Sequence, residues 1–150
     1  MKNLFAPTDL ESLKARIAQL QPDSDRQWGS MTPAQALAHC SLGMQMATGD
    51  LRPPRMLIGR ILGPLIKPKV VADDQPMRRN SPTVQELKVP DQPDFATEQL
   101  RLISLIDQFS TAGPKGCATH PHAFFGRLTP DEWAILTYKH VDHHLRQFGV

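Results

Sequence analysis

Residues 129–147 read TPDEWAILTYKHVDHHLRQ, and this stretch contains the clearest helix start in the chain. Thr129 suits the N-cap, Pro130 the first helical position and Glu132 the third, which together form the pattern of a capping box. At about 100° per residue, one stripe of the helix then holds Trp133, Leu136, His140 and His144. The pattern predicts a last helix whose apolar face passes into a pair of histidines.

A second helix start lies at residues 32–35, which read TPAQ and again place threonine before proline, with glutamine three residues after the threonine. This helix is rich in small residues and is predicted to end near Gly49. Further amphipathic segments span roughly residues 8–20, where Thr8 begins a capping-box pattern, and residues 95–111. Four such segments without strand periodicity predict an all-α fold, a four-helix bundle built as one domain over residues 1–150.

Residues 50–93 differ in character, because eight of the fourteen prolines fall among them. Residues 56–62 are apolar enough for a short helix, whereas the segment from Lys67 to Pro82 is predicted to be extended, since proline cannot donate a backbone hydrogen bond. A connection of this length inside a domain is usually functional or mobile. We therefore interpret residues 50–93 as a proline-rich insertion between the second and third long helices.

The composition indicates a folded globular protein. Hydrophobic residues make up 40% and charged residues 21% of the 150 residues, which is typical of a folded globular chain. The net charge of +2 gives no reason to expect nucleic acid as a partner. No apolar run approaches the ~18 residues of a membrane span, so no membrane partner is expected. The N-terminus lacks the apolar segment of a signal peptide, and a cytoplasmic location is expected.

Three histidines on two helices are candidate metal ligands. His140 and His144 lie one turn apart, and an i, i+4 pair can occupy two positions of a metal ion's coordination sphere. His39 lies seven residues after Thr32, and His140 lies eleven residues after Thr129. Both offsets return to within about 20° of the direction of the helix start. The three imidazoles can therefore meet if the second and last helices pack side by side.

Residues 140–147, HVDHHLRQ, resemble the H-x-x-H-H-x-x-Q ending of the DinB/YfiT-like four-helix bundle superfamily. Residues 28–40 (WGSMTPAQALAHC) and 124–133 (FFGRLTPDEW) resemble the two signature stretches of its DUF1569 branch. This resemblance implies a DinB-like bundle in which one histidine of the second helix and two of the last helix bind a divalent metal ion. In this sequence those residues are His39, His140 and His144.

Three neutral nitrogen ligands leave a coordination position open for water or substrate, as in catalytic rather than structural zinc sites. Nickel and ferrous iron also suit imidazole ligands, so Zn, Ni and Fe are the expected metals. The expected function is that of a metal-dependent enzyme acting on a small molecule. It is either a hydrolase or, by resemblance to DinB-like thiol transferases, an enzyme that transfers a low-molecular-weight thiol. The alternative is a non-catalytic stress-response or binding module, and a homodimer is the assembly left open.

Three further residues are candidates for the surroundings of the metal. Gln147 lies one turn from His144, where its amide can hydrogen-bond a water molecule bound at the site. His143 lies about 60° from the midline of the histidine pair. His122 precedes the last helix and either belongs to a solvated loop, which is the favoured interpretation, or lines the mouth of the site.

Two reactive residue types near the histidines are interpreted as structural. Cys40 points about 100° away from His39 and is predicted to be a small core residue rather than a nucleophile. Asp142 projects to the side opposite the histidine pair, so it is not expected to orient these rings. Cys40 and Cys117 show no C-x-x-C spacing, which indicates neither a disulfide framework nor a cysteine zinc site.

Overall fold

The computed structural model describes residues 1–150 and contains five α-helices and no strands. The helices are α1 (Pro7–Gln19), α2 (Pro33–Thr48), α3 (Leu57–Val70), α4 (Phe95–Ala112) and α5 (Pro130–Gln147). Short 3-10 turns lie at Gln85–Leu87 and Gly113–Gly116. The prediction of an all-α fold is therefore confirmed. None of the helices combines the length and apolar character needed to cross a lipid bilayer.

The two helices that carry histidines begin where the sequence predicts. The Thr32 hydroxyl accepts a hydrogen bond from the Gln35 amide at 3.2 Å, and the Gln35 side chain accepts one from the Thr32 amide at 3.0 Å. Thr129 and Glu132 form the same reciprocal pair at the start of α5. These capping boxes satisfy amide groups that have no partner inside the helix, so they define the first residue of α2 and of α5.

The start of α1 differs from the prediction. The helix begins at Pro7, and Thr8 lies inside its first turn instead of forming a cap. The Asn3 side-chain oxygen accepts hydrogen bonds from the amides of Phe5 at 2.9 Å and Ala6 at 3.1 Å. An upstream asparagine thus satisfies the amides before the helix, while proline takes a position where no donor is needed. The predicted Thr8 capping box was wrong for this reason.

The helices α1, α2, α4 and α5 share one apolar core, in which α2 packs against α4 and α5, and α1 packs against the same two helices. Alanines and a glycine on α2 keep this helix narrow, which allows α5 to approach it closely. On α5, Trp133 is buried, and its indole nitrogen donates to the Ala118 carbonyl at 3.2 Å. The packing places α2 and α5 side by side, as the convergence of their histidines requires.

The insertion contains more helix than the sequence predicts. The helix α3 continues through Pro64 and Pro68 to Val70, so residues 63–70 were wrongly expected to lie outside the short apolar helix. Each proline leaves the carbonyl four residues earlier without an amide partner. Both prolines are exposed, and water can reach the carbonyls on that side of the helix. Hydration therefore removes much of the penalty that normally ends a helix at proline.

The helix α3 is attached to the rest of the protein through backbone contacts. Gly59 and Gly63 are its only buried residues, and both lie against the backbone of Phe124. A Cβ atom on Gly59 would lie 2.7 Å from the Phe124 Cα atom. At the two ends of the helix, the Met56 amide donates to the Ala123 carbonyl at 3.0 Å, and Lys139 donates to the Val70 carbonyl at 2.7 Å. The two glycines thus hold α3 directly on residues 123–125.

We expect Gly63→Ala to loosen α3 without unfolding the remaining helices. A Cβ atom here would collide with the Phe124 carbonyl oxygen. Overpacking of this kind costs about 1–3 kcal/mol, which exceeds the gain of up to about 1 kcal/mol from replacing glycine by alanine in a helix. Trypsin should then cleave after Arg60 and Lys69 roughly fivefold faster, because cleavage follows the open population.

The matched control for this cleavage experiment is Leu65→Ala, which changes a side chain on the exposed side of α3. Its cleavage rate should equal that of the unchanged protein. Equal rates for Gly63→Ala and the unchanged protein would show that the glycine contact does not hold α3 in place.

Candidate metal centre

The structure brings three histidines of two helices together. One ring nitrogen from each of His39, His140 and His144 lies within 4.8 Å of the other two. The shortest separation joins Nε2 of His39 to Nε2 of His140 at 2.9 Å. The rings meet edge to face, with centroids 4.8–5.0 Å apart. His39 is buried, and His140 and His144 are partly exposed residues.

The tautomer of His39 follows from its contact with the insertion. Its Nδ1 lies 2.7 Å from the Leu87 carbonyl oxygen, in the 3-10 turn Gln85–Leu87. A carbonyl oxygen only accepts, so Nδ1 carries the proton and donates it. The Nε2 atom therefore carries the lone pair of the ring, and it accepts a hydrogen bond from Nε2 of His140 at 2.9 Å. The insertion thus sets the orientation of a histidine that lies 48 residues earlier in the chain.

The His144 ring is oriented in the same way by a side-chain amide. Nδ1 of His144 lies 2.9 Å from Oε1 of Gln147, and Nε2 of Gln147 donates to the Trp28 carbonyl at 2.7 Å. The second bond identifies which end of the amide is the oxygen, so His144 must donate through Nδ1. Its Nε2 atom then carries the lone pair as well.

The His140 ring occupies space that a glycine provides. A Cβ atom on Gly43 would lie 2.8 Å from Nδ1 and 2.9 Å from Cε1 of His140. Gly43 stands one helical turn after His39 on α2, so the two residues share a face of that helix. The missing side chain on α2 therefore allows a ring from α5 to reach Nε2 of His39.

The surroundings keep all three imidazoles neutral. Burial lowers the pKa of His39, although the hydrogen bond to Leu87 opposes this shift. Burial, and then the charges that His39 and His144 would carry, hold the pKa of His140 well below its usual range. Burial lowers the pKa of His144 to about 3. A metal ligand must offer its lone pair rather than a proton, so these shifts suit the group to metal binding.

His143 and His122 lie outside the group of three. The His143 ring contacts Trp28, with centroids 5.6 Å apart, and the Arg79 guanidinium lies 4.1 Å above the Trp28 ring. The Nδ1 atom of His122 accepts hydrogen bonds from the amides of residues 124 and 125 at 3.0 and 3.1 Å. Burial and the nearby Arg55 lower the pKa of His122 to about 4. His122 thus shapes the turn on which α3 rests, while His143 borders the insertion.

Cys40 and Asp142 lie where the sequence interpretation puts them. Cys40 is buried in the core, and burial raises the pKa of its thiol. Asp142 binds Arg16 at 2.6 Å and Arg146 at 2.7 Å. Burial alone would raise the pKa of Asp142, but these two guanidinium groups together hold it below its ordinary value. The Asp142 carboxylate therefore forms ion pairs with these arginines and does not orient the histidines.

Sequence reasoning named Gln147 as a neighbour of the site, but it missed the other groups that orient or accommodate the rings. Gly43 could have been found, because it lies four residues after His39 on a helix rich in small residues. The Leu87 and Trp28 carbonyls could not have been found in this way. Every residue has a backbone oxygen, so the sequence does not indicate which of them accepts a hydrogen bond. Their positions depend on how residues far apart in the chain pack together.

The fold and the three-histidine group define a class: a helical protein with a site that could hold a metal ion. A family model described as "Protein of unknown function (DUF1569)" matches residues 2–149. The chain belongs to this family. Neither the curated proteins nor the solved structures include a match to the chain.

Gln147 offers a test of how the site is oriented. We expect Gln147→Leu to weaken divalent metal binding by about 10–100-fold, since removing a partner that orients a ligand usually costs this much. The side chain is buried, and its loss frees both the His144 ring and the Trp28 carbonyl. Isothermal titration of the metal-free protein with Zn²⁺ or Ni²⁺ measures the change.

The control for this titration is Gln99→Leu. Gln99 also donates to a backbone carbonyl, that of Ile17 at 2.7 Å, but this contact joins α4 to α1 away from the histidines. The Gln99 variant should lose stability and keep its metal affinity. Equal metal affinities for the two variants would mean that Gln147 acts on the fold alone.

Proposed function

We propose that this protein is a DinB-like four-helix bundle, built as one domain with an insertion at residues 50–93, that binds one divalent metal ion. The proposed ligands are Nε2 of His39, Nε2 of His144 and a ring nitrogen of His140. The observation that carries the proposal is the orientation of the group: two rings donate through Nδ1 to Leu87 and Gln147, which leaves their Nε2 lone pairs facing a common point. Zn, Ni and Fe are the metals that suit three imidazoles.

The residues of this chain prepare the site before any metal arrives. The insertion holds His39 through Leu87, the segment before α2 holds His144 through Trp28 and Gln147, and Gly43 gives His140 its space. A divalent ion held by these residues would supply a Lewis acid to a bound small molecule. Because all three ligands are neutral, its positive charge is not compensated by the protein. An anionic or polarisable group of a small molecule is therefore the favoured occupant of the open position.

The reaction class we propose is hydrolysis or transfer of a low-molecular-weight thiol. Both reactions need a nucleophile, and Cys40 does not provide it, since its thiol is buried and its pKa is raised. The nucleophile is then a molecule from solution, either water or a small thiol, and the partial exposure of His140 and His144 supports its access. A panel of ester and electrophile substrates assayed with and without added thiol separates the two reactions.

Elemental analysis of the natively purified protein tests the metal site directly. We expect about one equivalent of Zn, Ni or Fe per chain and a melting temperature that falls by about 5–10 °C when a chelator removes it. Metal-free protein with an unchanged melting temperature would contradict the proposal. That result would favour a non-catalytic binding module, for which the exposed face of α3 is the supporting observation.

A further inference from the structure

The helix α3 exposes a wide aliphatic face. Leu57 is 78% exposed, Ile61 70% and Leu65 67%, and these residues follow one another at spacings of four. Ile58, Leu62 and Ile66 widen the face, and all three are exposed as well. At about 100° per residue, the six side chains cover half of the helix circumference. Single exposed aliphatic residues are ordinary, but a continuous face of this size indicates a binding surface.

This face is held in a fixed orientation. The opposite side of α3 buries Gly59 and Gly63 against the backbone of Phe124, which leaves no room for the helix to turn its aliphatic side inward. Lys67 forms an ion pair with Glu132 at 2.9 Å, which fastens the C-terminal half of α3 to the start of α5. The protein thus presents the aliphatic side chains outward instead of leaving them on a loose segment.

The charged residues on α3 and just before it are basic. Between Leu51 and Ala72 the chain has five basic residues, at positions 52, 55, 60, 67 and 69, and no acidic residue. Arg60 and Lys69 are exposed and form no ion pair. An aliphatic face with basic residues beside it matches a surface that is apolar inside and negatively charged at its boundary.

We propose that α3 docks on an anionic phospholipid surface, with its aliphatic side chains inserted at the level of the headgroups. Such a helix lies on a membrane and does not cross it, which agrees with its length of 14 residues. A second copy of this chain fits the face less well. Pairing two copies about a twofold axis would bring two basic segments together, each with Arg60 and Lys69 free of ion pairs, and like charges at an interface oppose association.

Vesicle co-sedimentation of the full chain tests this proposal. At low ionic strength the protein should bind phosphatidylcholine vesicles that contain about one quarter phosphatidylglycerol, and about 0.5 M salt should weaken the binding by screening. Leu65→Asp should reduce binding at least about tenfold, because it removes one inserted aliphatic side chain. The double variant Arg60→Gln, Lys69→Gln should lose about fivefold for each charge on these vesicles.

Two matched controls separate docking from general effects. Leu100→Asp changes a residue that is 70% exposed on α4, outside the face, and should bind vesicles as the unchanged protein does. The double variant Lys88→Gln, Lys115→Gln makes the same change in net charge outside residues 51–72 and should also bind normally. Circular dichroism of each variant verifies folding, which is expected because all these side chains are exposed.

Absence of binding to the anionic vesicles would overturn the proposal, and so would an equal loss of binding in Leu65→Asp and Leu100→Asp. Analytical ultracentrifugation adds an independent outcome. A dimer that Leu65→Asp converts to a monomer, with no binding to vesicles, would assign the face to a second copy instead.

Discussion

Replacing His140 with alanine should lower the affinity for Zn²⁺ or Ni²⁺ by more than about 100-fold, since loss of a partner behind a ligand already costs about 10–100-fold. His140 is central to the group, because its Nε2 atom lies 2.9 Å from that of His39 and its ring packs edge to face on both other histidines. Two imidazoles remain in the variant, and they no longer surround one point. Isothermal titration and elemental analysis of the purified variant measure the loss.

The fold should survive this substitution. His140 is partly exposed and lies at the edge of the aliphatic core, and alanine is a good helix former. Removing the imidazole also relieves the desolvation that holds its pKa far below the usual range. The melting temperature measured in chelator should therefore stay close to that of the unchanged protein, while the stabilisation by added metal disappears.

The control for His140→Ala is His120→Ala, which removes an imidazole that lies beside Gly49 and outside the group of three. Its metal affinity should remain unchanged. If His140→Ala kept full affinity while His120→Ala lost it, the ion would bind elsewhere, and the three-histidine site would be ruled out.

The start of a helix could be predicted from the sequence where the residues that define it lie close together in the chain. Both capping boxes involve residues three positions apart, so the starts of α2 and α5 can be read without knowledge of the packing. The length of α3 could not be read in this way. Whether Pro64 ends a helix depends on whether water reaches the carbonyl it leaves free, and that is decided by which side of α3 rests on Phe124.

In the candidate site, too, contacts within one helix could be predicted from the sequence, whereas contacts between distant residues could not. Residue spacing predicts that His140 and His144 share a face, because both belong to one helix. It does not predict the contact of His39 with Leu87 or of Gln147 with Trp28, which joins residues 119 positions apart. These contacts select the tautomers of His39 and His144, so the sequence indicates which rings could bind a metal, while only the packing shows which nitrogen these two rings offer.

Gly43→Ala should abolish most of the metal affinity, by about 100-fold, while the protein remains folded. The added Cβ atom would meet Nδ1 of His140 at 2.8 Å, a distance that forces the ring to move. The ring is the far end of a flexible side chain, so the movement costs the fold little. Alanine inside a helix also contributes up to about 1 kcal/mol relative to glycine. The melting temperature in chelator should therefore stay equal or rise, although metal binding is lost.

A double-mutant cycle shows whether Gly43 acts through His140. If the added methyl group only displaces this ring, Gly43→Ala should cause no further loss of metal affinity in a protein that already carries His140→Ala. Ser41→Ala is the matched control on α2, because it changes a buried side chain whose hydroxyl has no hydrogen-bond partner. It should alter neither metal affinity nor the cycle. Additive losses from Gly43→Ala and His140→Ala would instead mean that the glycine maintains the spacing between α2 and α5, and that the position of His140 depends on the whole helix pair.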